Sequence, residues 1–373
     1  MGPIRSPSEA SSLLLQVTNG CTWNRCRFCQ LYRHTKFKAF GADSIRNDID
    51  NMVWYADRVK KYRDSSGWDL EGLNRELGSC SGADQQCFYM IANWLVNGGE
   101  NVFLQDGNTT ALSSGRLTEV LRYLRQAFPH IKRITSYGRA ENLSKVSAEE
   151  FAELKEAGLD RIHSGFESGS DAVLEKINKG VTLQQEITAG RNVKAGGIEL
   201  SVYFMPGIGG RELTNENAAG MTEVINSISP DFLRIRSAVI KPGTELYDDF
   251  LTGKFTICSE DEKVLEIRHL IENAKASGTV LVSDHIVNLL QQVRGRLDED
   301  RETMLGLIDD YLSMHEKDRM IFQLARRTAG IISPDDVSGL PEDRLRYMEK
   351  MTERTADSYS WSVKLNDMMC RFI

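Results

Sequence analysis

Short apolar runs alternate with amphipathic stretches over the first 250 or so residues of this 373-residue chain, and that repeat constrains the fold more than any other feature. Leu117, Val120, Leu121 and Leu124 have the spacing of a helix with one buried face, and comparable stretches separate the other apolar runs. Strands that alternate with helices favour a parallel sheet, so we expect an α/β fold. The six predicted strands are residues 13–18, 101–105, 133–137, 160–166, 199–204 and 232–238.

Polar turns that contain glycine follow the first five predicted strands. Because the carboxyl ends of parallel strands lie at one edge of a sheet or barrel, these turns should form a common rim, where such folds carry their sites. A single turn of this kind would be weak evidence, whereas five in phase with the repeat indicate a functional edge. They are Asn19-Gly20-Cys21, Asp106-Gly107-Asn108-Thr109, Tyr137-Gly138-Arg139, Glu167-Ser168-Gly169-Ser170 and Pro206-Gly207-Ile208-Gly209-Gly210.

The chain changes character near residue 250, which predicts two regions. Residues 1–250 carry the strand–helix repeat, interrupted by an insertion at 41–98 with helical stretches around 44–62 and 83–97. Residues 251–373 are predicted to form a mostly helical C-terminal extension that packs on the first region. In this extension the predicted helices are 260–277 and 301–327, and a short apolar segment spans 279–282.

Composition excludes several classes of protein. Hydrophobic residues are 41% of the chain and charged residues 27%, which is ordinary for a globular protein. The formal net charge of −7 argues against a nucleic-acid partner or binding to an anionic membrane. No apolar run approaches the roughly 20 residues of a membrane span, and the N-terminus lacks a signal-peptide pattern. We therefore expect a cytoplasmic protein.

Seven cysteines form an odd, unevenly spaced set in a chain long enough to fold without disulfides. In a reducing compartment, a cluster of cysteines indicates a metal site or a catalytic site. Cys80 and Cys87 form a looser pair inside the insertion. They are interpreted as two unrelated thiols, with a metal half-site or a disulfide as alternatives.

Three cysteines lie close together after the first predicted strand: Cys21, Cys26 and Cys29. Thiolates are soft ligands suited to iron–sulfur clusters, and three of them leave one iron of a four-iron cluster open. The alternative is a tetrahedral zinc site completed by His34. Zinc knuckles usually stabilise small modules, and this chain has ample core of its own, which favours the cluster.

The cysteine loop, with Phe28 directly before Cys29, resembles the cluster loop of radical S-adenosylmethionine (radical SAM) enzymes. Here four residues and then two separate the cysteines, whereas three and then two is the commonest spacing in that family. The resemblance extends over about residues 12–250. It implies a partial (β/α)6 barrel of the TIM type, with a 4Fe-4S cluster on the three cysteines and SAM on the open iron.

The same resemblance assigns expected cofactor contacts at the strand ends. The segment 106–109 takes the place of the family's glycine-rich motif near the methionyl amino group, although Asp106 replaces its usual first glycine. Glu167 resembles the acidic residue that approaches the ribose hydroxyls, and Gly207 would pack near the adenine. Asp106 could instead cap a helix or close a turn, and Glu167 could serve as a first-turn carboxylate. The expected cofactor-binding residues are Asp106, Gly107, Asn108, Thr109, Ser136, Arg139, Glu167, Ser201 and Gly207.

Candidates for substrate contact or catalysis lie on later strands. Arg234 and Arg236 alternate with apolar residues and so project from one face of the sixth strand, where they would bind an anion or form surface ion pairs. Tyr203 shares a face of the fifth strand with Ser201 in the same way. His285 follows Asp284, which suggests either an acid–base pair or a helix N-cap with a neighbouring histidine.

The predicted function is reductive cleavage of SAM to methionine and a 5′-deoxyadenosyl radical, which abstracts hydrogen from an unidentified small molecule. Such an enzyme needs an electron donor such as flavodoxin or ferredoxin. Whether it is an oxidoreductase or a transferase stays open. The alternatives are a zinc- or cluster-stabilised binding protein without radical chemistry, and an anaerobic tetrapyrrole oxidase or methyltransferase.

Overall fold

The computed structural model describes residues 5–355 and 357–372, which divide into two compact units. The first unit comprises residues up to 24 together with 34–164 and 191–199. The second unit comprises the remainder. The cysteine loop is therefore shared, because Cys21 belongs to the first unit and the other two cysteines of the triad belong to the second.

The first unit begins with a short strand and carries the insertion as three helices and a two-stranded hairpin. Its elements are β1 (Leu13–Gln16), β2 (Thr18–Asn19), β3 (Lys38–Ala39), α1 (Ala42–Lys60), β4 (Arg63–Asp64), β5 (Gly67–Trp68), α2 (Leu70–Ser79), α3 (Gly82–Val96), β6 (Asn101–Gln105), α4 (Ser114–Ala127), β7 (Arg133–Tyr137), α5 (Ala140–Leu143) and α6 (Ala148–Ala157).

Helices of the first unit form where the sequence supplies both periodicity and caps. In α1 the buried positions are Ile45, Ile49, Met52, Ala56 and Val59, which recur every three or four residues along one face. Helix α6 starts at a capping box and ends at a glycine in the left-handed conformation, as the sequence predicts.

The second unit contains the later strands and the whole C-terminal extension. Its boundaries with the first unit fall inside β8, α8 and β9. The remaining elements of the chain are β8 (Arg161–Glu167), α7 (Asp171–Lys176), α8 (Leu183–Ala195), β9 (Glu199–Phe204), α9 (Thr214–Ile228), β10 (Phe232–Ile235), α10 (Glu245–Leu251), α11 (Glu260–Asn273), β11 (Val280–Val282), β12 (Gly295–Arg296), α12 (Arg301–Ser313), α13 (Glu316–Thr328), α14 (Glu342–Glu353) and α15 (Ser358–Met369).

Eight strands form one mostly parallel sheet in the order β1-β6-β7-β8-β9-β10-β11-β12, which confirms the predicted α/β class with helical C-terminal residues. Strands from beyond residue 250 also join this sheet. Val280 of β11 pairs with Phe232 of β10 in parallel, and β12 is antiparallel to β11. The apolar segment at 279–282 is thus a sheet strand of the second unit.

Two predicted helices differ from the structure. The stretch 301–327 is two helices rather than one, because the chain leaves helical geometry at Met314 and His315 between α12 and α13. The predicted helix 260–277 ends at Asn273, where the chain becomes extended at Ala274. The helical pattern continues past both ends in the sequence, so periodicity alone could not place them.

Candidate functional site

In the first unit, Asp106 holds the backbone segment that leads into the cysteine loop. This residue is fully buried at the end of β6. Its backbone N–H donates to Thr18 Oγ1 at 3.1 Å, and its Oδ2 accepts from the backbone N–H of Gly20 at 3.3 Å. The residue that departs from the family's glycine pattern therefore holds the backbone immediately before Cys21.

Asn108 is the centre of a hydrogen-bond network that joins three loops of the first unit. Its Nδ2 donates to Thr22 Oγ1 at 2.8 Å and to Asn142 Oδ1 at 2.6 Å. Its Oδ1 accepts from the backbone N–H of Arg139 at 3.1 Å and from Thr110 Oγ1 at 3.1 Å. Because Asn108 is fully buried, this network rigidly links the cysteine loop to the loop after β7.

Arg139 places a positive charge beside the first cysteine. Its Nη1 lies 3.9 Å from Cys21 Sγ, and its guanidinium lies 5.8 Å from the ring centroid of Trp23. A guanidinium is permanently charged, so it places a cation beside the sulfur of Cys21. This contact links the turn after β7 to the cysteine loop.

In the second unit, the backbone around Cys26 and Cys29 is held by Arg33. Its Nη2 donates to the carbonyl of Cys26 and its Nε to the carbonyl of Cys29, both at 3.0 Å. A third contact, at 3.1 Å, joins Arg33 to Glu245 at the start of α10. The two cysteines are thereby presented on a turn whose carbonyl groups are already satisfied.

The residues between these cysteines anchor the turn to neighbouring helices. Arg27 forms an ion pair with Asp249 at 2.6 Å, and its backbone N–H donates to the carbonyl of Ile177 at 2.8 Å. Phe28 packs against the apolar cluster that contains Val173 and Ile177. The aromatic residue before Cys29 therefore works as an apolar anchor in the second unit.

All seven cysteines lie among the described residues, and none forms a disulfide. In residues 5–355 and 357–372, no three His, Cys, Asp or Glu side chains are gathered closely enough to hold a metal ion. Three thiols with the guanidinium of Arg139 beside one of them are compatible with an anionic iron–sulfur cluster that has one open iron. His34, the fourth zinc ligand considered in the sequence, is exposed.

Glu167, at the end of β8, has a backbone conformation that side chains rarely adopt, with φ of +71°. Its Oε1 accepts from Lys179 Nζ at 3.1 Å, and both side chains are nearly buried. A Cβ at Gly165 would lie 2.3 Å from Glu167 Oε1, so glycine there leaves room for the carboxylate. Glu167 does not serve as a first-turn carboxylate, because α7 begins four residues later, at Asp171.

Gly207 is held by a buried carboxyl that the sequence did not single out. Glu266 on α11 accepts from the backbone N–H of Gly207 at 3.0 Å and from Asn217 Nδ2 at 2.6 Å. Burial raises the pKa of Glu266 to about 8, although both hydrogen bonds favour its charged form. The carbon chain of Lys263 packs against the Gly207 backbone, where an added Cβ would meet it at 3.0 Å.

Four predicted residues of the second unit lie near one another around β10. Arg234 is buried, and its Nε donates to Ser201 Oγ at 3.1 Å. Its Nη1 lies 3.4 Å from Asp284 Oδ2, and its Cα pairs with that of Tyr203. Arg234 therefore contacts both Ser201 of β9 and Asp284, which follows β11.

His285 lies in a turn rather than at the start of a helix, so the alternative of a helix N-cap is wrong. Its Nδ1 accepts from the backbone N–H of Val287 at 3.3 Å. Burial, and then the charge of Arg236, lower the pKa of His285 to about 4. The imidazole is therefore neutral at physiological pH, which makes it a hydrogen-bonding group rather than an acid.

The remaining predicted cofactor residues lie in the first unit. Ser136 is fully buried in β7, and its hydroxyl has no hydrogen-bond partner. Thr109 is also buried but donates to the carbonyl of Leu104 at 3.1 Å, which is a structural role. Gly107 is half-buried between Asp106 and the Asn108 network.

Several residues at the site escaped the sequence reasoning. Lys179, Asn142 and Glu266 sit inside or before helices, where a charged or amide side chain ordinarily faces solvent. Glu186 is fully buried on α8, and among the described residues neither of its carboxylate oxygens has a hydrogen-bond partner. Burial raises the pKa of this carboxyl well above its ordinary value. In the sequence, the burial of Glu186 was indicated by its position on the inner face of α8.

The insertion cysteines have local partners of their own. Arg58 Nη2 lies 3.2 Å from Cys80 Sγ and also pairs with Glu76 and Asp84. Burial raises the pKa of the Cys87 thiol. Cys80 and Cys87 form no disulfide, and their interpretation as two unrelated thiols stays a prediction.

The chain was compared with known proteins. Residues 85–216 match the family model of the Radical SAM superfamily. The matched segment includes the turns after β6, β7, β8 and β9 but not the cysteine loop. Enzymes of this family use a 4Fe-4S cluster and SAM. No helix among the described residues is both long and apolar enough to cross a membrane.

Individual relatives are distant. The heme chaperone HemW of Bacillus subtilis (strain 168) is 22% identical over 180 residues, which are 48% of this chain and 47% of that protein. The tRNA uridine(34) acetyltransferase of Methanocaldococcus infernus is 25% identical over 119 residues, 32% of this chain and 22% of that protein. Thus this chain spans less than half the length of either.

Among solved structures, the cobalamin-dependent SAM radical enzyme OxsB, with aqua-cobalamin and SAM bound, is similar at a TM-score of 0.45 and 14% identity. That match covers 96% of this chain and 58% of the OxsB chain.

Proposed function

We propose that this chain, a member of the radical SAM superfamily, is an enzyme that binds a 4Fe-4S cluster through Cys21, Cys26 and Cys29 and cleaves SAM reductively. The observation that supports this most is the contact between Arg139 and Cys21, together with the Asn108 network that holds their two loops in register. When bound, the cluster and SAM supply one-electron cleavage of the sulfonium C–S bond, which gives methionine and a 5′-deoxyadenosyl radical.

The protein's own contribution is to orient these groups and to fix their charge. Asp106 holds the backbone before Cys21 rather than contacting SAM directly. Arg139 places a cation beside Cys21, and Glu167 presents its carboxylate from a constrained backbone beside Lys179. Gly207, whose backbone N–H is held by Glu266, would lie near the adenine.

The radical would abstract a hydrogen atom from a small-molecule substrate, with oxidoreductase and transferase outcomes both compatible with the site. The electron would come from a low-potential protein such as flavodoxin or ferredoxin. Flavodoxin and ferredoxin both fit a reducing compartment such as the cytoplasm. Such a compartment also suits a chain with an odd number of cysteines.

The test is anaerobic reconstitution of the full chain with iron and sulfide. We expect about four irons per chain, a brown colour and a reduced cluster with an electron paramagnetic resonance signal that changes when SAM is added. Substitution of Cys21, Cys26 or Cys29 by serine should abolish the cluster. Cys258→Ser is the matched control, because Cys258 is a buried thiol near Thr214, outside the loop.

Two results would contradict the proposal. A colourless protein that binds zinc stoichiometrically through the same cysteines would support a zinc-stabilised binding protein. A cluster that forms equally well in the Cys26→Ser and wild-type proteins would place it elsewhere.

One alternative substrate class has a specific observation behind it. The match to a protein named as a heme chaperone favours a tetrapyrrole ligand or substrate over other small molecules. Titration of the apo-protein with hemin, followed by its Soret band, tests this class; a spectrum identical to that of hemin in buffer would remove it.

A further inference from the structure

Arg234 is a buried cation whose charge is poorly balanced. The side chain is 6% exposed, and its one ion pair, with Asp284, has an N–O distance of 3.4 Å. Asp284 is itself 44% exposed, so solvent weakens this pair. The second contact, to Ser201 Oγ, is neutral. A buried guanidinium ordinarily has a close, bidentate anionic partner.

Arg236 lies two residues beyond Arg234, directly after the end of β10 at Ile235, and its side chain has fewer partners than that of Arg234. It is half-buried, and among the described residues its side chain forms no hydrogen bond and no ion pair. Its backbone N–H donates to the carbonyl of Phe204 at 2.9 Å, which fixes the chain at the carboxyl end of β10. This is the strand end at which parallel sheets carry their ligands.

The groups around the two arginines do not neutralise them. His285 is neutral because burial and the charge of Arg236 disfavour its protonation. Tyr203 lies beside Arg234 in the register of β9 and β10. Among the described residues Asp284 is the one carboxylate in contact with either arginine, so the cluster carries a net positive charge at the carboxyl end of β10.

We propose that Arg234 and Arg236 bind an oxyanion, a carboxylate or phosphate, of the enzyme's substrate. The assignment of the anion to the substrate rests on the proposed function, whereas the anion site itself does not. The two guanidinium groups, one in β10 and one directly after it, each present planar N–H donors that match such an oxyanion. Tyr203 and the neutral imidazole of His285 supply further hydrogen-bonding groups beside it.

The site is tested on the apo-protein, without cluster or SAM, by calorimetric titration with inorganic phosphate and separately with glutarate, at constant ionic strength. We expect Arg236→Gln to weaken binding of at least one of them about tenfold or more, since one charge-assisted contact is lost. Arg234→Gln should do the same. Arg268→Gln is the matched control, because that arginine is paired with Asp309 and Glu272 on the surface.

Each outcome bears on the proposal. Phosphate binding that depends on both arginines assigns a phosphate-bearing substrate, and glutarate binding assigns a carboxylic acid. Binding no stronger than that of chloride, or equal in the Arg236→Gln and wild-type proteins, would overturn the anion site. Full competition by SAM would overturn the substrate role by assigning the site to the cofactor's carboxylate.

A second readout guards against misfolding of the buried Arg234 variant. The imidazole of His285 is faced by Arg236 from β10 and by Asp284 from its own turn, while Arg326 and Arg327 of α13 bind the neighbouring carbonyl of Ile286. Bound phosphate should therefore shift the His285 proton resonances of the wild-type protein and leave them unmoved in Arg236→Gln. Failure of SAM cleavage with intact anion binding would separate the proposed function from this site.

Discussion

Replacement of Glu266 by glutamine should change how the stability of the protein depends on pH. The carboxyl is 1% exposed on α11, and burial raises its pKa from 4.5 to about 8. Between these values the folded protein keeps the proton that the unfolded chain releases. The contribution of this carboxyl to the free energy of unfolding is therefore greatest below pH 4.5. It falls by about 1.4 kcal/mol per pH unit as pH rises toward 8.

The substitution removes this titration while keeping an acceptor for the N–H groups of Gly207 and Asn217. From pH 5.5 to 7.5, the free energy of unfolding of the wild-type protein should fall by about 3 kcal/mol relative to that of Glu266→Gln. Urea unfolding of the apo-protein, followed by far-ultraviolet circular dichroism at both pH values, measures the difference.

The control is Glu272→Gln on the same helix, where the side chain is 50% exposed. That variant should track the wild-type protein at both pH values. If the curves of Glu266→Gln and the wild-type protein also stay parallel within about 0.5 kcal/mol, Glu266 is ionised in the folded state and the reasoning from burial is refuted.

Three further outcomes are expected. Gly169→Ala should destabilise the protein by about 1–3 kcal/mol in thermal unfolding, because its Cβ would lie 2.2 Å from the Gly220 carbonyl oxygen. Gly306→Ala, with open space around it, should be neutral or stabilising in the same assay. Arg327→Met should cost about 3 kcal/mol in urea unfolding, because it removes one of two cations from buried Glu260; a loss under 1 kcal/mol would contradict this. Arg139→Gln should lower the cluster's reduction potential in a redox titration, because a cation 3.9 Å from Cys21 Sγ is lost; an unchanged potential would place Arg139 away from the cluster.

Local patterns were enough to predict several strands of the sheet. The strand at 101–105 matches β6 (Asn101–Gln105), and that at 133–137 matches β7 (Arg133–Tyr137), because apolar runs bounded by polar turns leave little choice of element. The run 232–238 was less informative, and β10 ends at Ile235. Ser237 and Ala238 are buried in the loop that follows, so burial alone did not mark the strand end.

Side-chain partners at the site were beyond local patterns. That Asp106 holds the Gly20 amide depends on contacts between segments 86 residues apart, which no local spacing encodes. Glu266 and Lys263 lie on α11, and the exposed and buried charges of an amphipathic helix look alike in sequence. The face predicted to be shared by Arg234 and Arg236 stays a prediction, because β10 ends at Ile235, before Arg236.

The alternatives for single residues were decided by geometry. Glu167 was weighed as a ribose contact or a first-turn carboxylate, and the second role is excluded because α7 begins four residues later, at Asp171. Asp284 was considered as a helix N-cap beside His285, but a turn and not a helix follows it. In both cases the deciding fact is where a helix begins, which the residue type alone does not fix.

The most direct test of the central proposal is release of 5′-deoxyadenosine. The full chain, reconstituted anaerobically to about four irons, is reduced with dithionite in the presence of SAM, and the products are separated by liquid chromatography. The proposal predicts 5′-deoxyadenosine and methionine in equal amounts from the wild-type protein, and neither from Cys26→Ser. A fully reconstituted wild-type cluster that releases no 5′-deoxyadenosine would contradict it.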